Sequence, residues 1–252
     1  MTDPYARPDF NHNDFYHRYL LRQVPRPCDR ALDIGCGTGL FARRLAQRAQ
    51  TVDAIDRAPE VIARARAQSH DTPHVHYAEA DLADYDLGTA RYDFISGIAS
   101  IHHMPFAETI TKLREALAPG GVLAILGLCR YETRADYLPD LIAAPANLAA
   151  KAAVRAKVRL GSRAAGSGPA PSMNAQMTLP EIRTEAARLL PGAVIRRRLF
   201  WRYSLIYRQQ SSSTRRRHPP RRARRTFGVL DTFAPGRARG RLPPTSAEDN
   251  GR

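Results

Sequence analysis

Cysteine is scarce in this 252-residue chain: Cys28, Cys36 and Cys129 are the only three, and no pair has metal-binding spacing. An odd, widely spread set of thiols excludes a complete disulfide framework and a zinc-ribbon type of fold. Long hydrophobic runs are missing as well; none approaches the ~20 residues that a bilayer span requires. The first 30 residues lack the apolar centre of a secretory signal, so the expected location is a reducing, cytoplasmic one. Lysine is nearly absent: 36 of the 39 basic residues are Arg, and only Lys112, Lys151 and Lys157 are Lys, a bias that fits GC-rich coding. Acids are too few to balance them, 24 against 39, leaving a net charge of +15.

That charge is unevenly spread. Residues 211–252 hold 11 Arg and 3 acids, a net +8, interleaved with Pro, Gly and Ser. A segment so poor in apolar residues cannot offset the entropy of ordering, so 210–252 is expected to be a basic disordered tail. Such a tail is able to hold phosphate backbones, but an inert extension is the favoured reading. The remaining length and the 43% apolar content suit one core domain.

What is present is concentrated near Leu32. The run Arg30-Ala31-Leu32-Asp33-Ile34 predicts a short buried strand that ends in three alternating glycines, Gly35, Gly37 and Gly39. A helical pattern follows, with Leu40, Phe41, Leu45 and Ala49 on one side. Glycine permits a sharp turn pressed against a ligand, and the helix behind it is expected to aim free N–H groups at the same space. The dinucleotide spacing Gly-x-Gly-x-x-Gly fails, because counting from Gly35 puts Leu40 at the last position. A second strand, Gln50–Asp56, ends in an acid, where a ribose is held in nucleoside-binding sheets. Pro59 then opens a helix with Val61, Ile62 and Ala65 inward. Val75–Leu82 and Tyr92–Ile98 read as the third and fourth strands. A helix marked by Ile110, Leu113 and Leu117 follows and is expected to stop at Pro119-Gly120-Gly121, before a fifth strand, Val122–Leu128. Strands alternating with helices imply a parallel sheet.

The Asp33-x-Gly35-x-Gly37-x-Gly39 turn resembles motif I of the class I, Rossmann-like S-adenosylmethionine-dependent methyltransferases. Ala54–Arg66 resembles that family's second motif, and His102-His103-Met104-Pro105 is similar to the strand-four exit of its small-molecule branch. The resemblance implies an α/β fold, a doubly wound seven-stranded sheet, mostly parallel with the last strand antiparallel and helices on both faces. It implies S-adenosyl-L-methionine as cofactor. By resemblance Asp33, Gly35, Cys36, Gly37 and Gly97 belong to the cofactor site; Cys36 reads as a small neutral filler in the glycine turn, not a nucleophile. Asp56 binds ribose, Arg57 lies along the adenosine, and Asp81 with Leu82 takes the adenine. Residues 1–29 resemble a cap helix, with Phe15, Tyr19 and Arg22 on one face and Tyr16 reaching the methionyl end. Residues 30–209 form the methyltransferase domain, with 130–175 a lid or acceptor-side insertion.

Thr178-Leu-Pro-Glu181 has capping-box spacing before a helix with Ile182, Ala186, Leu189 and Leu190 inward. Two strands, Ala193–Leu199 and Arg202–Tyr207, complete the sheet. Methyl transfer from a sulfonium asks for orientation, and for a general base only when the acceptor must lose a proton early. His102, His103 and Tyr16 are the expected catalytic groups, with His17 a further candidate. No metal is expected. The expected activity is methyl transfer to a small molecule. The alternatives are a nucleic-acid methyltransferase using the basic tail and a non-catalytic cofactor-binding module, whose mark would be damaged motifs. The oligomeric state is not readable.

Overall fold

Seven strands carry the architecture: β1 (Arg30–Ile34), β2 (Thr51–Asp56), β3 (Val75–Glu79), β4 (Tyr92–Ile98), β5 (Leu117–Leu128), β6 (Val194–Arg198) and β7 (Arg202–Arg208). The helices are α1 (His12–Leu21), α2 (Leu40–Leu45), α3 (Pro59–Ala67), α4 (Phe106–Ala116) and α5 (Leu179–Leu189), and a single 3-10 turn, Ile101–His103, joins β4 to α4. The computed structural model describes residues 12–130, 175–199 and 202–211. The chain divides into two compact units, Met1–Ser213 and Thr214–Arg252, and every described residue belongs to the first. The 130–175 insertion, apart from its edges, and the basic tail beyond residue 211 lie outside the described residues.

The strand order is β3-β2-β1-β4-β5-β7-β6. β1 pairs in parallel with β2 and β4, β2 with β3, and β4 with β5, whereas β7 runs antiparallel to both β5 and β6. This is the expected Rossmann-like doubly wound sheet with one reversed strand. Its direction of winding switches between β1 and β4, and the crevice outside the carboxyl ends of those strands is where such sheets bind ligands.

Both faces are covered, which is why the central strands read as near-continuous apolar runs. Successive side chains point to opposite faces: Ala31 joins Phe94, Ala124 and Ile206 under Leu20 of α1, Phe41 and Leu45 of α2, and Ile62 of α3. Leu32, Ile34, Ile95 and Ile125 face the other way, onto Ile110 and Leu113 of α4 and Ile182 and Ala186 of α5. All three cysteines are buried, and none forms a disulfide.

Two local expectations need correction. α4 ends at Ala116, and Leu117 is already drawn into β5 opposite Tyr92; Pro119-Gly120-Gly121 falls where the register slips between Tyr92 and Phe94. The inward face of α1 is Asn13, Tyr16, His17 and Leu20, with Phe15 (55% exposed) and Arg22 on the outer side. Tyr16 is taken up in the core, its hydroxyl on Leu199 O, and does not reach a ligand site.

The capping box at α5 is formed: Glu181 N–H donates to Thr178 Oγ1 at 3.4 Å, and Thr178 N–H donates to Glu181 Oε2 at 2.7 Å. Thr178→Ala is expected to lower stability by about 1 kcal/mol, read from the midpoint of urea unfolding.

Candidate active site

A cavity of about 690 Å³ opens at the carboxyl ends of β1, β2 and β4, within the size range of pockets that enclose small ligands and cofactors. Its floor is the glycine turn. Gly35 and Cys36 N–H donate to Ile55 O (2.8 and 3.0 Å), Gly39 N–H donates to Cys36 O (3.0 Å), and Gly37 N–H donates to Asp56 Oδ2 (3.0 Å). These four turn donors are therefore spent inside the protein, and the turn itself is no anion nest. An adenosine carrying a cationic chain suits this floor better than a pyrophosphate.

The glycines have different tasks. At Gly35 (φ +66°) an added Cβ would stand 2.5 Å from Ser100 Cβ, so β1 and the exit of β4 meet only because no side chain intervenes. Ser100 Oγ donates to Ile34 O at 2.8 Å and ties the same two elements. At Gly37 (φ +54°) an added Cβ meets nothing within 4 Å. Ala99, which lines the cavity, is held at φ 52°, a left-handed strain in a residue with a Cβ.

The carboxylates divide by environment. Asp33 is 2% exposed; Oδ1 accepts from Ser96 Oγ at 2.9 Å, and Oδ2 is buried with no partner among the described residues. Burial, reinforced by the charge of Asp56 and opposed by the Ser96 hydrogen bond, pushes its carboxyl up to about 7. An orphaned acidic oxygen on the wall of a cavity asks for a cationic donor. Asp56 accepts from Gly37 N–H and, at 3.1 Å, from Ala58 N–H, which fixes the carboxylate at the end of β2. Asp81 Oδ1 accepts from Ala83 N–H at 2.9 Å beyond β3. Burial, then Asp33 and Asp56, push the Cys36 thiol up, so it is no nucleophile.

Of the residues picked out by sequence, Asp33, Gly35, Cys36, Gly37, Asp56, Arg57, Asp81, Leu82 and His103 all line the cavity. Three do not. Gly97 underlies the 3-10 turn, where a Cβ would stand 2.9 Å from Ile101 Cγ1. Tyr16 is 6% exposed among the core residues, its hydroxyl donates to Leu199 O at 3.2 Å, and burial raises its pKa. His102 borders a separate cavity of about 40 Å³ with Leu128, Met177 and Tyr203. Burial, with His103 and Arg202 nearby, pushes it down to about 4, and its ring lies 3.9 Å from that of His103.

On α1 the cavity is lined by Asn13 and His17 instead. Arg44 Nη1 lies 2.7 Å from His17 Nδ1; arginine only donates, so Nδ1 accepts and the neutral ring carries its proton on Nε2. Burial and Arg44 push His17 down to about 3. With that lone pair engaged, His17 is not a general base. Asn13 Oδ1 accepts from Arg202 Nε and Nη2 (2.9 and 2.7 Å), fastening α1 to β7. The spacing of Asn13, His17 and Leu20 carries this inward face, but aromatics on every side of the helix obscure it.

Site and sheet together define a crevice at the carboxyl ends of the strands with one buried, unpartnered acidic oxygen on its wall. Comparison with known proteins gives the class. Residues 31–121 match the methyltransferase domain family. An uncharacterized methyltransferase of Mycobacterium tuberculosis is 32% identical over 202 residues, which span 79% of this chain and 96% of that protein. A malonyl-[acyl-carrier protein] O-methyltransferase of Enterobacter lignolyticus is 33% identical over 54% of this chain and 53% of its own length. Among solved structures, N-methyltransferase NodS of Bradyrhizobium japonicum, in complex with S-adenosyl-L-homocysteine, shares the fold with TM-score 0.54 and 20% identity over 83% of this chain and 93% of its own. The chain belongs to this methyltransferase family, in its class I, S-adenosylmethionine-dependent division. No helix among the described residues is long and apolar enough to cross a membrane.

Proposed function

We propose that the enzyme methylates a small-molecule acceptor that enters beside His103. The observation that carries this reading is the pairing of a buried, unpartnered Asp33 oxygen with an anchored Asp56 across one cavity. These residues fit the cofactor. Asp33 takes the methionyl ammonium, Asp56 the ribose hydroxyls, and Asp81 with the Leu82 backbone the adenine; Arg57 lies along the nucleoside. S-adenosylmethionine, when bound, supplies the methyl group already attached to its leaving group, so the protein's share is orientation and exclusion of water.

Asp33, steadied from behind by Ser96, holds the chain end of the cofactor, Gly37 leaves room for it, and Asn13 and His17 close that end from α1. His103, Met104 and Pro105 line the acceptor side. His103 is exposed there and is positioned to take a proton from an acceptor that must lose one. The intact motifs set this reading apart from a module that has kept only the fold.

The full chain with methyl-labelled S-adenosylmethionine, offered separated small metabolites, RNA and protein, tests the proposal. Label is expected in the small-molecule fraction; label retained on RNA would sink the reading. His103→Ala is expected to bind S-adenosylhomocysteine within about twofold of wild type and to turn over the identified acceptor about a hundredfold more slowly.

A further inference from the structure

The sequence has one lysine before residue 151, Lys112, which stands on α4 and lines the cavity. Lys112 Nζ donates to Leu82 O at 2.6 Å and to Ala83 O at 2.7 Å, bridging α4 to the turn that follows β3. The first of these carbonyls belongs to the peptide group whose N–H, on Ala83, donates to Asp81 Oδ1 at 2.9 Å. A single rigid amide thus has the ammonium on its oxygen and the Asp81 carboxylate on its hydrogen. Charge on the oxygen side polarises the amide and strengthens the bond it gives on the other side. The turn is closed beneath by Asp84 and Tyr85 N–H, which donate to Asp81 O at 3.2 and 3.0 Å. Asp81 itself is exposed and sits beyond the end of the sheet, so the fold alone does not fix its carboxylate.

We infer that Lys112 is a positioning residue that sets the base selectivity of the cofactor site by holding Asp81 through the Leu82–Ala83 peptide. The inference rests on the reading of Asp81 as the acceptor for the exocyclic amine of adenine. A carboxylate held at one angle rewards a base with an amino group there and repels one with a carbonyl. A carboxylate on a loose turn does neither well. The chemical class selected is therefore a 6-aminopurine nucleoside over a 6-oxopurine one.

The test is calorimetric titration of the full chain with S-adenosylhomocysteine and with its deaminated, inosine counterpart, alongside thermal melting. Wild type is expected to prefer the adenosine compound by more than about tenfold, and Asp81→Ala to lose that preference. Lys112→Met is expected to weaken the adenosine compound about tenfold and to leave the inosine compound within about twofold, so that discrimination collapses; Lys112→Arg, which keeps charge and donors, restores most of it. Equal weakening of both compounds, or unchanged affinity for both, would overturn the inference. Wild type that binds both compounds alike, with Asp81→Ala unchanged, would instead remove the reading of Asp81 on which it rests. If Lys112→Met melts before it binds, Lys112→Gln, which keeps a neutral donor, gives the same comparison.

Discussion

Asp33→Asn is expected to remove a pH dependence from the stability of the ligand-free protein and, at the same time, about two orders of magnitude of cofactor affinity. The folded carboxyl is pushed up to about 7, mainly by burial. Unfolded, it returns to about 4. Below the lower value both states are protonated and ionisation adds no cost. As pH rises from about 4 to about 7 the unfolded chain gives up a proton that the folded chain retains, so stability falls across that window and then levels off. The loss is on the order of a few kcal/mol and is absent in the asparagine variant. That variant starts lower at acid pH, because its buried amide hydrogens lack the acceptor they need. Urea midpoints measured from pH 4 to pH 8 check this: wild type should decline where Asp33→Asn stays flat in this component. A wild-type curve that rises through the same window would mean that Asp33 is ionised in the empty site. The binding loss has the same origin, since the orphaned Oδ2 is supplied with a cationic partner only by the ligand.

Gly35→Ala and Gly37→Ala, two residues apart in one turn, are expected to fail in different ways. Both place a Cβ at positive φ, which costs roughly 1–2 kcal/mol each. At Gly35 the methyl also collides with Ser100 Cβ, at 2.5 Å, between β1 and the buried exit of β4. Overpacking of this kind adds about 1–3 kcal/mol, so a fall in Tm of roughly 8–15 °C is expected. At Gly37 no atom lies within 4 Å of the new methyl, so Tm should drop only a few degrees by the same scaling. Because Gly37 lines the cavity, its methyl occupies ligand space, and S-adenosylhomocysteine affinity should fall at least about tenfold, the scale of one or two lost contacts. A Gly37 variant that binds normally would place the ligand elsewhere in the cavity.

The strands and the glycine turn were legible because their signals are local: apolar runs for strands buried on both faces, and spacing for a turn that needs positive φ. The antiparallel direction of β7 followed from the family resemblance, not from any pattern in the strand, and its place between β5 and β6 comes from the structure. Where sequence reading failed, the cause was direction. His102 and His103 are neighbours in a 3-10 turn with rings 3.9 Å apart, yet they border different cavities, and nothing in the pair says which one faces the larger. Tyr16 and His17 pose the same problem on α1, where the side chain that enters is set by Arg44 and Arg202, both distant in sequence. Lys112 carried no motif at all; its role exists only because α4 packs across a turn 29 and 30 residues away. The N–H groups of Gly35, Cys36 and Gly37 are likewise claimed by Ile55 and Asp56 of β2, partners that no local pattern in the turn announces.

The measurement that bears most directly on the account is calorimetric titration of the full chain with S-adenosylhomocysteine, in parallel with Asp56→Ala. One site of about micromolar affinity is expected, with binding lost in the variant while its melting temperature is retained. Wild type that takes up no ligand, or Asp56→Ala that binds as tightly as wild type, would contradict the assignment of this cavity as the cofactor site.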